Sequence, residues 1–157
     1  MSFGVEIQVD TEQAKVRLAR VNQRLNEKEY LTLIGMALMR WVDQNFRKEG
    51  IETKWKPLAV STILRRRKGR GRGGPMILQD TGRLKMSFTH WMSLTGDWVA
   101  VGSEDPRSLW HHKGTRSKRG NPHLPARPLL PTERTAMDIA VSTMKAYVNT
   151  IVREANQ

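Results

Sequence analysis

EYLTLIGMALMRWVDQNFRK, residues 29–48, repeats large apolar side chains at helical spacing: Leu31, Ile34, Leu38, Trp41 or Val42, then Phe46. That period marks one buried face of a helix, and Gly50 is a plausible stop. Just upstream, Ala14, Leu18, Val21 and Leu25 recur at spacings of four, three and four. They predict a second amphipathic helix whose other face holds Lys15, Arg17, Arg20 and Arg24. Asp10 or Thr11 can cap it, with Glu12 and Gln13 suited to the first turn. Asn26–Lys28 either breaks the two patterns apart or lets one helix run through. An unbroken helix of roughly forty residues would project beyond a small domain and need a partner chain beneath it. Before both, Phe3, Val5, Ile7 and Val9 alternate with Gly4, Glu6 and Gln8, the period of two of a short strand.

Downstream the pattern changes. Lys54–Pro57 opens an irregular region, Ser61–Arg67 fits a short helix, and Lys68–Pro75 (KGRGRGGP) holds four glycines and a proline. Such a run cannot be a stable core element. The stretch around 65–75 is expected to be disordered or ordered only on contact with a partner. Leu84, Met86, Phe88 and His90 would line one face of a strand. Trp98, Ala100 and Gly102 alternate with Val99 and Val101 in the next, with Leu94–Asp97 as the hairpin turn. A third short strand is expected over Leu109–His112, followed by a loop over Gly114–Pro122. Pro125, Pro128 and Pro131 then stiffen an extended approach to a last helix, opened by Thr132 and striped by Ala136, Ile139 or Ala140, Thr143, Tyr147 and Ile151. The fold class is α+β. One domain over residues 1–157 holds a small, mostly antiparallel sheet between N-terminal helices and one C-terminal helix, with long basic loops.

Charge is partitioned along this order. Residues 1–52 carry eight basic and eight acidic side chains, and residues 132–157 three of each, so the net +12 resides in residues 53–131. Its strongest cluster is Arg65, Arg66, Arg67, Lys68, Arg70 and Arg72, with Arg116, Lys118 and Arg119 in the second loop. Such clusters suit a polyanion or an acidic protein face, and equally they solvate loops or keep them apart. Trp55, Trp91, Trp98 and Trp110 are available to stack on bases or to fill a core. An apolar content of 38% is low for a compact monomer of this length and points to extended loops or to a surface completed by neighbouring subunits. The absence of cysteine excludes disulfides, thiol chemistry and cysteine-bound zinc. Neither secretion nor membrane spanning is expected.

Catalytic chemistry finds little footing. His90, His111, His112 and His123 are the only imidazoles, and on a strand His111 and His112 would face opposite ways. Asp80, Asp97, Glu104 and Asp105 form no D-x-D, E-x-K or H-x-H grouping of the kind metal-dependent phosphate chemistry needs. Gly69–Gly74 leads through Pro75 and lacks the Lys-Ser/Thr ending of a phosphate loop. No enzyme activity, cofactor or metal is expected.

An ordered set of short segments does carry a family likeness. Phe46–Leu58 (FRKEGIETKWKPL), Ser61–Arg66, Ile77–Leu84 (ILQDTGRL), Val99–Gly102 (VAVG), His111–Gly114 and Pro125–Leu129 (PARPL) follow one another at characteristic distances. Together they resemble the phage virion morphogenesis family of tail completion and tail terminator proteins, over roughly residues 10–155. The resemblance implies a non-catalytic virion protein of the tail and neck, assembled in the bacterial host cytoplasm. Copies would close a ring, a hexamer in the virion, against tail tube and head–tail connector proteins. Contact with phage DNA would be transient, and no membrane is involved. It further implies that Trp55, Pro57 and Leu58 anchor the exit of the N-terminal helices. Asp80, Thr81, Gly82 and Leu84 would form the turn and strand entry, Asp80 accepting backbone N–H groups. Gly102 and Gly114 would mark strand ends, and Pro125, Arg127 and Pro128 would lock the approach to the last helix. Arg127, extended between prolines, is placed to bind a carboxylate or a backbone carbonyl. Two departures stand out: Leu109 and Trp110 replace a tyrosine and alanine common in relatives, and the loop over 65–74 is more basic. The competing reading is a basic DNA-binding accessory protein of a phage or prophage.

Overall fold

The apolar stripe of residues 29–48 needs something to bury it, and the rest of the chain is arranged to do so. The computed structural model describes residues 11–66, 76–117, 120 and 122–155. Helices α1 (Thr11–Asn26) and α2 (Glu29–Arg47) are separate, because Lys28 takes a left-handed conformation at φ 57° and breaks the run. Two residues past Arg47, Glu49 (φ 53°) is also left-handed, and the Gly50 and Glu49 amides bond the Asn45 and Phe46 carbonyls at 3.0 and 3.4 Å. This closes the last turn of α2 and satisfies its terminal carbonyls. Gly50 thus lies one residue beyond the left-handed stop.

A short α3 (Val60–Arg65) and a single helical turn α4 (Arg83–Met86) precede the hairpin of β1 (Phe88–Met92) and β2 (Val99–Ser103). The two strands are antiparallel, with Phe88 opposite Ser103 and Met92 opposite Val99. α5 (Pro106–Lys113) follows, then the small antiparallel pair β3 (Thr115–Arg116) and β4 (Pro122–Leu124), and finally α6 (Glu133–Ala155). Two small antiparallel sheets flanked by helices make the fold α+β, as read from the sequence.

α2 is the centre: both α6 and the β1–β2 hairpin pack against it. Val42, Phe46, Trp55, Ile77, Leu84, Phe88 and Leu129 form one buried cluster. Phe46 is wholly buried, edge-on to Trp55 (5.4 Å between centroids) and to Phe88 (5.8 Å). The hairpin reaches α2 closely because Gly35 has no side chain. A Cβ there would lie 2.6 Å from the His90 ring. Thr132 opens α6 as expected, its hydroxyl accepting from the Thr135 amide at 3.4 Å. Tyr147 and Ile151 are buried on the inner face of α6.

Three expectations change. Leu84 and Met86 lie on the turn of α4, and the strand begins at Phe88, because Gly82 (φ 75°) starts a helical turn that rotates Leu84 into the core. Leu109–His112 is helical, since Asp105 accepts the Arg107 amide at 3.0 Å and Pro106 sits in the first turn, both strong helix-start features. His111 and His112 therefore do not face opposite sides of a strand. The apolar stripe of α1 is only half covered: Ala14 and Leu18 are exposed, Leu18 at 68%, while Val21 and Leu25 are half-buried. The strand expected over Phe3–Val9, and Asp10, lie outside the described residues, as do Arg67, Lys68, Arg70, Arg72, Lys118 and Arg119.

Replacing Gly35 by alanine should destabilise the fold by about 1–3 kcal/mol through overpacking against His90, despite alanine's better helix propensity. Urea unfolding should show a lower midpoint at unchanged slope; a raised midpoint would refute the close approach.

Candidate functional site

Two proline-bearing stretches, Lys56–Leu58 and Pro125–Pro131, run extended and cannot supply a full set of backbone donors. Their carbonyls must be met by side chains. Arg127 does this for the first stretch. Its guanidinium is buried and donates to the Lys56 carbonyl at 2.9 and 3.2 Å and to the Pro57 carbonyl at 3.5 Å. Burial pulls its pKa below the usual arginine value. Asn45 and Trp55 serve the second stretch: both donate to the single Pro128 carbonyl, at 2.9 and 3.0 Å, filling its two acceptor positions. The Asn45 side-chain oxygen accepts the Ile51 amide at 2.9 Å, so this buried amide is used at both ends.

α5 clips the same stretch from its far side. The Arg127 amide donates to the His111 carbonyl at 2.7 Å, and the Leu129 amide donates to His112 Nδ1 at 3.1 Å. Gly114 (φ 72°) ends α5, where a Cβ would lie 2.8 Å from the Leu124 carbonyl oxygen. Burial lowers the pKa of His111, helped by Arg127 and Arg107, and burial also lowers that of His112, with Lys113 adding to it. Asp105 sits at about 2, held down chiefly by hydrogen bonds from the Arg107 side chain and amide.

In front of this clamp lies an open groove of about 930 Å³. α3 forms one wall and Leu124–Pro125 another. Pro57, Leu58, Asp80, Gly82, Leu84 and Pro125 all line it, with Arg127 at its base. Residues distant in sequence are thus brought to one place. Trp55 and Pro128 lie behind it, joined by their hydrogen bond. Gly102 is not a strand end; it sits within β2, where a Cβ would lie 3.1 Å from the Trp91 ring. Asp80 pairs with Arg66, 3.6 Å away, and Arg66 also donates to the Met76 carbonyl at 2.9 Å. Arg66 is therefore tucked in, while Arg65 and Arg116 are exposed. Of the tryptophans, Trp55 is core, and Trp91, Trp98 and Trp110 stand partly in solvent.

Residues 9–149 match the phage virion morphogenesis family. The chain belongs to that family. No curated protein and no solved structure matches it. Family membership makes this a phage virion protein with a structural role in assembly, in a family not known for enzymatic activity. No helix among the described residues is long and apolar enough to cross a membrane, and no group of metal-ligating side chains occurs among them.

Sequence reasoning missed Asn45, Arg107 and the roles of His111 and His112. Asn45 had left a sign: it falls three residues after Val42 on the apolar face of its helix, where a polar side chain must find partners.

Arg127→Met should cost about 1–3 kcal/mol for each carbonyl left without a donor, and Arg127→Lys should recover little because an ammonium lacks the guanidinium fork. Thermal unfolding of both variants checks this; full recovery by lysine would refute the fork. The two histidines give a pH test. Their folded pKa values lie below the ordinary value, so the unfolded chain binds protons first as pH falls. Their stabilisation is complete above about pH 6.5 and is lost as pH falls from there toward the lowered values. Urea midpoints should drop over that window, and His112→Asn should flatten the drop.

Proposed function

We propose that the chain acts in tail completion and head–tail joining, copies of it closing a ring, a hexamer in the virion, at the end of the tail. Family membership supports the virion role, and the surface supports the assembly. Large apolar side chains remain exposed on several unrelated elements, among them Leu18 on α1, Trp110 on α5 and Met137 on α6, at 68, 52 and 59%. Side chains of this size spread over different faces suit a heterologous contact, in which one face of a subunit meets a different face of the next and the rotation closes a ring. The single observation that carries the reading is this surface on a chain of that family.

Tail tube and head–tail connector proteins are the proposed neighbours, at the neck of the virion and, during assembly, in the host cytoplasm. The basic residues between the neutral ends would face an acidic surface of those proteins or line the bore through which DNA passes. A bore lining should attract DNA only weakly, because tight binding would hinder passage.

Size-exclusion chromatography with light scattering, with and without tail tube protein, should give a discrete multiple of 18 kDa that caps tube ends. A monomer that shifts DNA in a salt-sensitive manner and never caps tubes would instead establish the accessory-protein reading. Neutral replacement of Arg65, Arg66, Arg67, Lys68, Arg70 and Arg72 should impair ring formation, tail joining or DNA delivery, and a variant in which all three are unchanged would remove the role given to that cluster.

A further inference from the structure

The groove in front of Arg127 is built to receive something acidic and apolar. Its lining holds five cations, Lys56, Arg65, Arg66, Arg107 and Arg127, against one carboxylate, Asp80, which already faces Arg66. Arg66 and Arg127 are turned inward, and Arg107 is paired with Asp105. Lys56 and Arg65 stand exposed at the rim. The α3 wall is equally incomplete: Val60 is the apolar side chain it brings to the groove, none of its side chains is buried, and Val60 is 71% exposed.

The chain contains a segment of matching chemistry. Residues 3–10 (FGVEIQVD) alternate apolar side chains with polar ones, carry Glu6 and Asp10, and have no cation. An extended stretch of this pattern presents apolar side chains to one wall and carboxylates to a rim. The nearer segment, residues 67–75, brings Arg67, Lys68, Arg70 and Arg72 and no acid, so it would add like charge.

Residues 3–10 cannot fill the groove of their own subunit. They lead into the first turn of α1, where Glu12, Val16 and Arg20 share a shallow cleft with Ala155 at the end of α6. The groove lies on the other approach, lined by Leu124, Pro125 and Arg127, which lead into the start of α6, and by Lys56, a few residues after the Glu52 that binds Thr132. The 23 residues of α6 separate these ends by roughly 34 Å. With residues 3–10 seated, no linker remains to cross that distance, even at the roughly 3.5 Å per residue of an extended chain. We propose that the groove of each subunit receives residues 3–10 of a neighbouring copy, with Glu6 and Asp10 at Lys56 and Arg65. This rests on the ring reading and gives it a specific fastening: each α1 reaches outward to deliver its leading segment to the next subunit.

The chain has no cysteine, so single introduced thiols report contacts cleanly. Ile7→Cys and Val60→Cys variants of the full chain are mixed, assembled alone or on tail tube ends, and treated with a short bismaleimide. A band at twice 18 kDa is expected, absent when Ser142→Cys on α6 replaces Val60→Cys. Adding Glu6→Lys and Asp10→Lys to the first variant should remove most of that band, and adding Lys56→Glu and Arg65→Glu to the second should restore it. A discrete multiple of 18 kDa without the Ile7–Val60 band overturns the fastening while leaving the ring intact. The fastening is equally overturned if Val60→Cys captures tail tube protein instead, or if a single chain carrying both Ile7→Cys and Val60→Cys cross-links within itself. A chain that remains monomeric even on tube ends overturns the ring and the fastening together.

Discussion

Burying the carbonyls of two proline-bearing stretches is the constraint around which this fold is organised. Proline lacks an N–H, so such stretches cannot enter a sheet ladder on both edges, and their acceptors must be satisfied one at a time. Each buried acceptor left unmet costs about 1–3 kcal/mol, a large part of a typical domain's net stability. Arg127 satisfies Lys56 and Pro57, while Asn45 and Trp55 converge on Pro128. These four carbonyl contacts tie α2, the segment after it and the approach to α6 into one joint. Phe46, wholly buried at the end of α2, packs on Trp55 at that joint.

That joint also shapes the surface in front of it. Because Arg127 is spent on carbonyls, its charge faces inward, and the groove mouth is left to Lys56 and Arg65. Glu49 reinforces the floor: its carboxylate accepts the Ile77 amide at 2.7 Å, and its carbonyl accepts the Trp55 amide at 2.9 Å. The groove thus has a hydrogen-bonded base and, in α3, a wall with no buried side chain. The family to which the chain belongs is one of virion structure.

Much of the fold was legible because periodicity survives without tertiary knowledge. The stripes of α2 and α6 and the hairpin of β1–β2 follow from side-chain spacing alone. The errors fall where local spacing is ambiguous. Leu84, Met86, Phe88 and His90 fit alternation over a few residues, and the positive φ of Gly82 decided for a helical turn. Leu109–His112 is short and apolar enough to read as a strand, and the cap from Asp105 with Pro106 decided otherwise. Of the candidate site, Pro57, Leu58, Asp80, Gly82, Leu84, Pro125 and Arg127 were named by resemblance, and the groove unites them. The partner of Asn45 escaped notice because a hydrogen bond across eighty positions leaves no local pattern, whereas the Arg107–Asp105 pair was hidden by reading the adjoining Leu109–His112 as a strand.

The sequence by itself determined the three long helices, the charged centre between neutral ends, the absence of thiol chemistry and the family. Tertiary structure alone decided that α1 and α2 part at Lys28, that Arg127 turns inward to carbonyls, and that α3 is left with an uncovered wall. The division has a physical cause. Amphipathic period and charge are properties of neighbouring residues, whereas the fate of a buried donor depends on which distant acceptor the folded chain leaves within three ångströms or so.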